Sequence, residues 1–210
     1  MSDPQLFELV LGTNNQKKLK EMVRLLAHLP IEVKNLQDFD NSLEVEETGT
    51  TFQENARLKA TVQAQHLNAW VVGEDSGISV RALKGQPGIY SARYSGENAT
   101  DETNNAKLIE QLKDLPLEKR AAWYTSHISL SDPAGNVLLD VEQTCHGQVV
   151  LEPRGSGGFG YDPHFEIPEY SMTFAELGHP VKSIISHRGK AMREFLRRLK
   201  WLSAVSPGNH

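Results

Sequence analysis

Cysteine is nearly missing from this 210-residue chain: Cys145 stands alone. A single cysteine excludes an intrachain disulfide and any zinc cluster built on thiolates, and it fits a reducing compartment. Positive charge is not in excess either. Lys and Arg number 22 against 27 Asp and Glu, a net charge of -5. A broad nucleic-acid footprint normally needs a basic face, so no nucleic-acid polymer is expected as a partner. A local basic pocket stays open. No apolar run approaches the roughly 18 residues of a membrane span, so no membrane partner is expected. The stretch Met1 to Val10 has no basic start, and Glu8 breaks its apolar run. It does not read as a signal peptide. The chain also lacks the GxxxxGK[ST] phosphate loop and the HExxH zinc pattern. Internal repeats and low-complexity linkers are absent as well. The expectation is a soluble cytoplasmic protein, long enough for one large domain or two small lobes.

Helical and strand patterns mix along the chain. Phe7 to Leu11 is a short apolar run closed by Gly12, and reads as a buried strand. Leu19, Met22, Val23, Leu26 and Leu29 recur at helical spacing, and Pro30 stops that helix. Thr51 to Glu54 has the form of a capping box that opens a second helix through about His66. Trp70 to Val72 predicts a strand that ends near Asp75, followed by Ser76 and Gly77. Thr100 caps a third helix with Asp101 and Glu102 in its first turn and Leu108, Ile109, Leu112 and Leu115 buried. Residues 121–131 and 136–145 predict a hairpin. Ser186 caps a last helix with Met192, Phe195, Leu196, Leu199 and Leu202 on one face. The fold class is α/β with a mixed β-sheet flanked by helices.

Two helix starts break a local rule. A helix N-terminus favours acidic residues, as the Thr100 helix shows. Yet Lys17, Lys18 and Lys20 follow Asn14 and Asn15, and His187, Arg188 and Lys190 follow Ser186. Surface lysines that turn into solvent explain one such helix. Two in one chain point to a bound polyphosphate. Glu46, Glu47, Glu74 and Asp75 are the candidate carboxylates for a hard cation such as Mg2+, which needs only one or two of them. Asp75 is the better candidate, whereas by pattern alone Glu46 and Glu47 read rather as a solvated charged loop. Lys59 lies four residues after Asn55, on one helix face. Four glycines fall within the six positions Gly155 to Gly160, with Phe159 and Tyr161 among them and Asp162 and Pro163 next. Glycine is costly to order. The segment suits either a tight turn with core aromatics or a flat, hydrogen-bonding ligand.

Six blocks in order carry a resemblance: Thr13 to Lys18, Glu46 to Ala56, Asp75 to Gly77, Gly85 to Gly96, Gly157 to Pro163, and Ser186 to Gly189. From about Leu9 to Leu202 the chain resembles the inosine/xanthosine triphosphate pyrophosphatase family. That resemblance implies residues 1–210 as one elongated α/β domain of two lobes with the active cleft between them, working as a homodimer. It implies Mg2+-dependent hydrolysis of ITP, dITP or XTP to the nucleoside monophosphate and pyrophosphate. Thr13, Asn14, Asn15, Gln16, Lys17 and Lys18 would hold the phosphates, with Lys59 beside them. Glu46 and Asp75 would hold the metal, with Asp75 also the general base, and Ser76 would touch substrate. Phe159, Gly160, Tyr161, Asp162, Lys182, His187 and Arg188 would form the base pocket. Asn14 stands where glycine is usual, in a turn expected to be left-handed. Glu74 often corresponds to a second aspartate. A purine-nucleotide sensor without turnover, or a phosphatase releasing orthophosphate, could use the same residues.

Overall fold

The computed structural model describes residues 7–27 and 31–205, with side chains for 8–27 and 31–200. Leu29, Pro30 and the Leu202 side chain, on which parts of two predicted helices rest, lie outside those residues. The order of elements is β1 (Phe7–Leu11), α1 (Gln16–Leu26), β2 (Ile31–Asn35), α2 (Phe52–Leu67), β3 (Val71–Val80) and α3 (Asp101–Leu112). There follow β4 (Ala121–Ser131), β5 (Val137–Val149), β6 (Phe165–Ile167), β7 (Met172–Thr173), α4 (Phe174–Ile185) and α5 (His187–Val205). The strands form one mixed sheet in the order β2-β1-β3-β4-β5-β6-β7. β1 pairs in parallel with β2 and β3, while β6 pairs antiparallel with β5 and β7.

The chain divides into two compact units. Unit 1 holds Met1–Asp75, His127–Glu142 and Ala191–His210, and unit 2 holds Ser76–Ser126 and Gln143–Lys190. In unit 1 the period-two alternation of strands decides which side chain goes where. Leu9, Leu11 and Val72 pack with Met22 of α1 and Phe195 of α5. Val10 and Val71 turn the other way, against Ala64 of α2. β1 is thus covered on both faces along Leu9 to Leu11, as three successive apolar residues require. In unit 2, Ile78 and Val80 join Leu108 and Leu112 of α3, Tyr124, Tyr161, Phe165 and Phe174. Ile109 and Leu115, predicted as buried, are only half-buried at its margin.

β3 corrects the sequence reading. Asp75 does not close a strand but sits midway along a ten-residue one. The strand resumes because Ile78 and Val80 are fully buried and Val80 N–H donates to Gln86 O at 3.0 Å. Gly77 lowers strand propensity but interrupts nothing.

Unit 1 also carries a charged cluster with a consequence for acid stability. Asp140 Oδ2 accepts from Arg57 Nε at 2.9 Å, and its Oδ1 accepts from Ser129 Oγ at 2.6 Å and lies 3.0 Å from His127 Nε2. Burial alone would raise this carboxyl. The bonds from Arg57, Ser129 and His127 outweigh it and hold Asp140 at about 2. A carboxyl depressed in the folded state stabilises above its unfolded value near 4 and loses that contribution as pH falls towards 2. After allowance for partial exposure, about 1–2 kcal/mol should disappear in that window. Acid titration of unfolding free energy should show this slope in the wild type and a flatter one in Asp140→Asn. Equal slopes would contradict it.

Candidate active site

In unit 1 the site begins with a helix that lies very close to a strand. Gly73 of β3 has no side chain because a Cβ there would overlap the Ala56 carbonyl oxygen and the Ala60 amide of α2. That approach brings α2 down on the strand just before Glu74 and Asp75. Thr51 caps α2 through Glu54 N–H at 3.1 Å. Half of the predicted capping box forms, since the Glu54 carboxylate turns back to Thr50 N–H at 2.6 Å instead of to Thr51. The helix then presents Asn55 and Lys59, four residues apart, to one carboxylate. Asn55 Nδ2 donates to Asp75 Oδ2 at 3.2 Å, and Lys59 Nζ to Asp75 Oδ1 at 3.0 Å. Asn55 is fully buried, and its Oδ1 accepts from Gly49 N–H at 2.8 Å. That second bond leaves only the NH2 group for Asp75.

Five charges gather here. Lys59 also donates to Glu47 at 2.7 Å, and Lys18 of α1 lies 2.9 Å from Glu74 Oε2, whose side chain is wholly buried. Burial pushes the Asp75 carboxyl above its usual range, and Lys59 and Lys18 pull it only part of the way back. Burial would lower the Lys59 ammonium, but Asp75 and Glu47 outweigh that and hold it above its usual value. Two ammonium groups thus face three carboxylates. Carboxylate oxygens of this kind are the donors that a hard cation takes. The oxygen donors fit Mg2+ on that ground. Among the described residues no three His, Cys, Asp or Glu side chains enclose a metal. A cation would therefore complete its shell from substrate and water, as Mg2+ commonly does.

Glu46 is exposed, whereas its neighbour Glu47 turns inward to Lys59. The loop has no period, so sequence cannot say which glutamate faces the site. Asn55, seen in the sequence only as sharing a face with Lys59, is the residue that orients Asp75. Its spacing to Lys59 was the available signal.

The loop before α1 also differs from expectation. Asn15 is the N-cap, and its Oδ1 accepts from the amides of Lys17 and Lys18 at 3.0 and 3.1 Å. Thr13, buried, accepts from Asn15 N–H at 3.2 Å. Two of the amides expected to meet phosphate are therefore engaged by the cap. Among the described non-glycine residues, positive φ occurs at Asn68, Lys84 and Ser171, not at Asn14. The tolerance of Asn14 for left-handed backbone is not needed, and its side chain stands exposed with those of Gln16 and Lys17.

Unit 2 gathers the remaining candidates. Gly158 takes φ +76, and a Cβ there would overlap Asp162 Oδ2. This lets the loop close over the Asp162 carboxylate, which accepts from Phe159 N–H at 2.9 Å and from Lys182 Nζ at 2.6 Å. Asp162 and Lys182 are both buried. Lys182 Nζ lies 4.9 Å from the Phe159 ring centre and Arg188 Cζ 5.7 Å from it. Arg188 Nη2 donates to Ser76 Oγ at 2.9 Å. His187 stacks on Tyr124 with ring centres 4.5 Å apart. The cations at the start of α5 therefore fold inward. Tyr161 belongs to the core of unit 2, and its hydroxyl donates to Ser91 O at 2.8 Å. Asp162 ties the loop to Lys182.

Residues 9–198 match the model of the Ham1 family. The chain belongs to the Ham1 family. All six sequence blocks fall inside the Ham1 match. The chain is 50% identical over 195 residues to the dITP/XTP pyrophosphatase of Rhodopirellula baltica, covering 93% of this chain and 94% of that one. It is 46% identical over 193 residues to the dITP/XTP pyrophosphatase of Geobacter sulfurreducens, covering 92% and 96%. Among solved structures, a HAM1 protein from Coxiella burnetii superposes with TM-score 0.85 at 37% identity, covering 93% of this chain and 99% of that one. The Staphylococcus aureus Ham1 protein gives TM-score 0.82 at 38% identity, covering 92% and 98%. The mixed α/β sheet is therefore the Ham1 fold.

Proposed function

We propose that this chain hydrolyses non-standard purine nucleoside triphosphates, ITP, dITP and XTP, to the monophosphate and pyrophosphate, with Mg2+. The similarity to two dITP/XTP pyrophosphatases over nine-tenths of the chain supports the reaction class. The observation that carries the reading is Asp75, a buried carboxylate held by Asn55 and Lys59 beside Lys18. Residues 1–210 act as one catalytic domain, and the same reading makes the protein a cytoplasmic homodimer. Light scattering tests the dimer.

The chemistry asked of these residues is modest. Glu46 or Glu47 and Asp75 would hold the cation, with Glu74 behind them. Bound there, the cation supplies charge neutralisation on the phosphate oxygens and polarises the phosphorus for attack. Asp75, fixed by two donors, accepts a hydrogen bond from the attacking water and aims it at the α-phosphorus. Its fixed orientation suits that role better than that of a mobile surface carboxylate. Lys18 and Lys59 stabilise charge that grows on the leaving pyrophosphate. Residues Thr13 to Lys17 line the phosphate side, with Gln16 and Lys17 exposed to meet it.

Base selection follows from the donors around Phe159. Hypoxanthine and xanthine offer a 6-oxo acceptor to Lys182 or Arg188, while adenine offers a 6-amino donor. One mispaired buried group costs about 1–3 kcal/mol, or roughly 10- to 100-fold. Stacking on Phe159 contributes affinity without selecting, since every base has a π-face. Ser76 acts through Arg188, and Asp162 through Lys182.

Product analysis tests the reaction. The protein is incubated with ITP, XTP, dITP, ATP or GTP and Mg2+, and orthophosphate is detected with and without added inorganic pyrophosphatase. Signal with the added enzyme only, and for ITP, XTP and dITP only, is expected. Orthophosphate without it would favour a stepwise phosphatase, and no turnover would favour a sensor.

A further inference from the structure

The loop that carries Phe159 lies against the start of α4 at Gly155 and Gly157, close to the Ala175 backbone, and is open on its other side. Ser156, Gly157 and Gly158 are exposed, and a cleft of about 530 Å3 opens along the loop, walled by Glu102, Ile109, Leu151, Pro153 and His164. A glycine-rich segment without packing on one side is held by hydrogen bonds or not held. Asp162 fixes Phe159 N–H from within. Gly157 N–H donates to Ala175 O at 3.2 Å on the α4 side, and Asp162 N–H to Phe159 O at 3.2 Å. Two further anchors, both on Gly160, come from α3. Asp101 Oδ2 accepts from Gly160 N–H at 2.9 Å, and Asn105 Nδ2 donates to Gly160 O at 2.9 Å. Asp101 and Asn105 are four residues apart and share one face of the helix. Together they take both polar groups of a single residue. Gly160 stands at φ +61, where no side chain helps to set its conformation.

Neither residue caps α3. The helix already has a full capping box, formed by Thr100 and Thr103. The segment before the helix is braced by Asn104, not Asn105, through Ser95 N–H and the carbonyls of Ser91 and Ala92. Asp101 is placed in the first turn, where the helix field favours a carboxylate, and its bond to Gly160 is charge-assisted.

We propose that Asp101 and Asn105 are positioning residues for purine binding: they clamp Gly160 and so hold the Phe159 ring in the plane the base stacks on. The proposal rests on the reading of Phe159 as the base platform. Both residues act on Gly160 in unit 2, so their loss should fall on base recognition and spare the chemical step.

The test compares ligands that differ in carrying a base. In Asn105→Ala the dissociation constant for inosine monophosphate should rise about tenfold, as expected for one lost anchoring bond. KM for ITP should rise in parallel and kcat stay within about twofold. Inhibition by tripolyphosphate, which has no base, should not change. Asp101→Ala should behave likewise. Asp101→Asn should recover affinity, because an amide oxygen still accepts from Gly160 N–H. Amide exchange at Phe159 and Gly160, measured without nucleotide, should quicken in Asp101→Ala and not in Asp101→Asn. Phe159→Ala is the reference. If it weakens inosine monophosphate and the α3 variants do not, the clamp is overturned and the platform stands. If Phe159→Ala leaves that affinity unchanged, the platform fails and the clamp with it. Equal losses for inosine monophosphate and tripolyphosphate in Asn105→Ala would also overturn the clamp, since they mark general damage.

Discussion

Asp75→Asn should lower kcat for ITP by about 100- to 10,000-fold while the nucleotide still binds within a few-fold of wild type. The substitution preserves volume and removes one charge and one acceptor. Its effect on folding is limited for a reason visible at the site. The Asn55 amide is fixed by Gly49 N–H, so it keeps its NH2 group towards position 75. Lys59 approaches the other oxygen. An asparagine at 75 can satisfy one of these donors and must point its own NH2 at the other. One such conflict costs about 1–3 kcal/mol. The kinetic loss should exceed what that destabilisation explains, because the variant remains folded at assay temperature. Thermal unfolding, an equilibrium binding measurement and single-turnover rates on the same preparation separate the three. Near wild-type turnover would remove Asp75 from the chemistry.

Lys18→Met should be strongly destabilising. Its ammonium is 2.9 Å from a carboxylate whose side chain is wholly buried. Removing one partner of a buried pair costs about 3–5 kcal/mol, chiefly because the remaining charge stays desolvated. Adding Glu74→Gln should recover most of that loss, since the buried group no longer carries a charge. The double variant also separates the two roles of Lys18. Denaturant unfolding should return close to wild type, whereas KM for ITP should stay high because the phosphate-side cation is still missing. If the double variant is as unstable as Lys18→Met, the pair with Glu74 is not what Lys18 supplies to the fold.

The fold was legible where one residue decides one element. The Thr51 and Thr100 caps, the apolar period of α1 and the turn between β4 and β5 all appear in the chain as read. The missed elements lack such signals. β2, β6 and β7 are only five, three and two residues long. Thr173 and Glu176 form a capping box at α4, but Gly178, with φ +70, and Pro180 break the helical pattern behind it. β3 was cut short because Ser76 and Gly77 look like a turn, whereas the burial of Ile78 and Val80 is a tertiary fact.

The site followed the same division. Lys59 and Asn55 could be paired from helix spacing alone. That Glu47 turns inward and Glu46 outward depends on an irregular loop, which has no period to read. The breach of the helix-dipole preference at Arg188 pointed to a polyphosphate, and its inward fold against Phe159 and Ser76 is a tertiary fact. Ser76 and Asp162 are each joined to a cation, Arg188 or Lys182. Long-range pairs of this kind leave no mark on local sequence.

The central claim is that water, oriented by Asp75, attacks the α-phosphorus of a non-standard purine triphosphate. Turnover of ITP in oxygen-18 water with Mg2+, followed by mass spectrometry of both products, tests it most directly. One labelled oxygen in inosine monophosphate and none in pyrophosphate is the expected result. Label in pyrophosphate, or in released orthophosphate with unlabelled monophosphate, would contradict it.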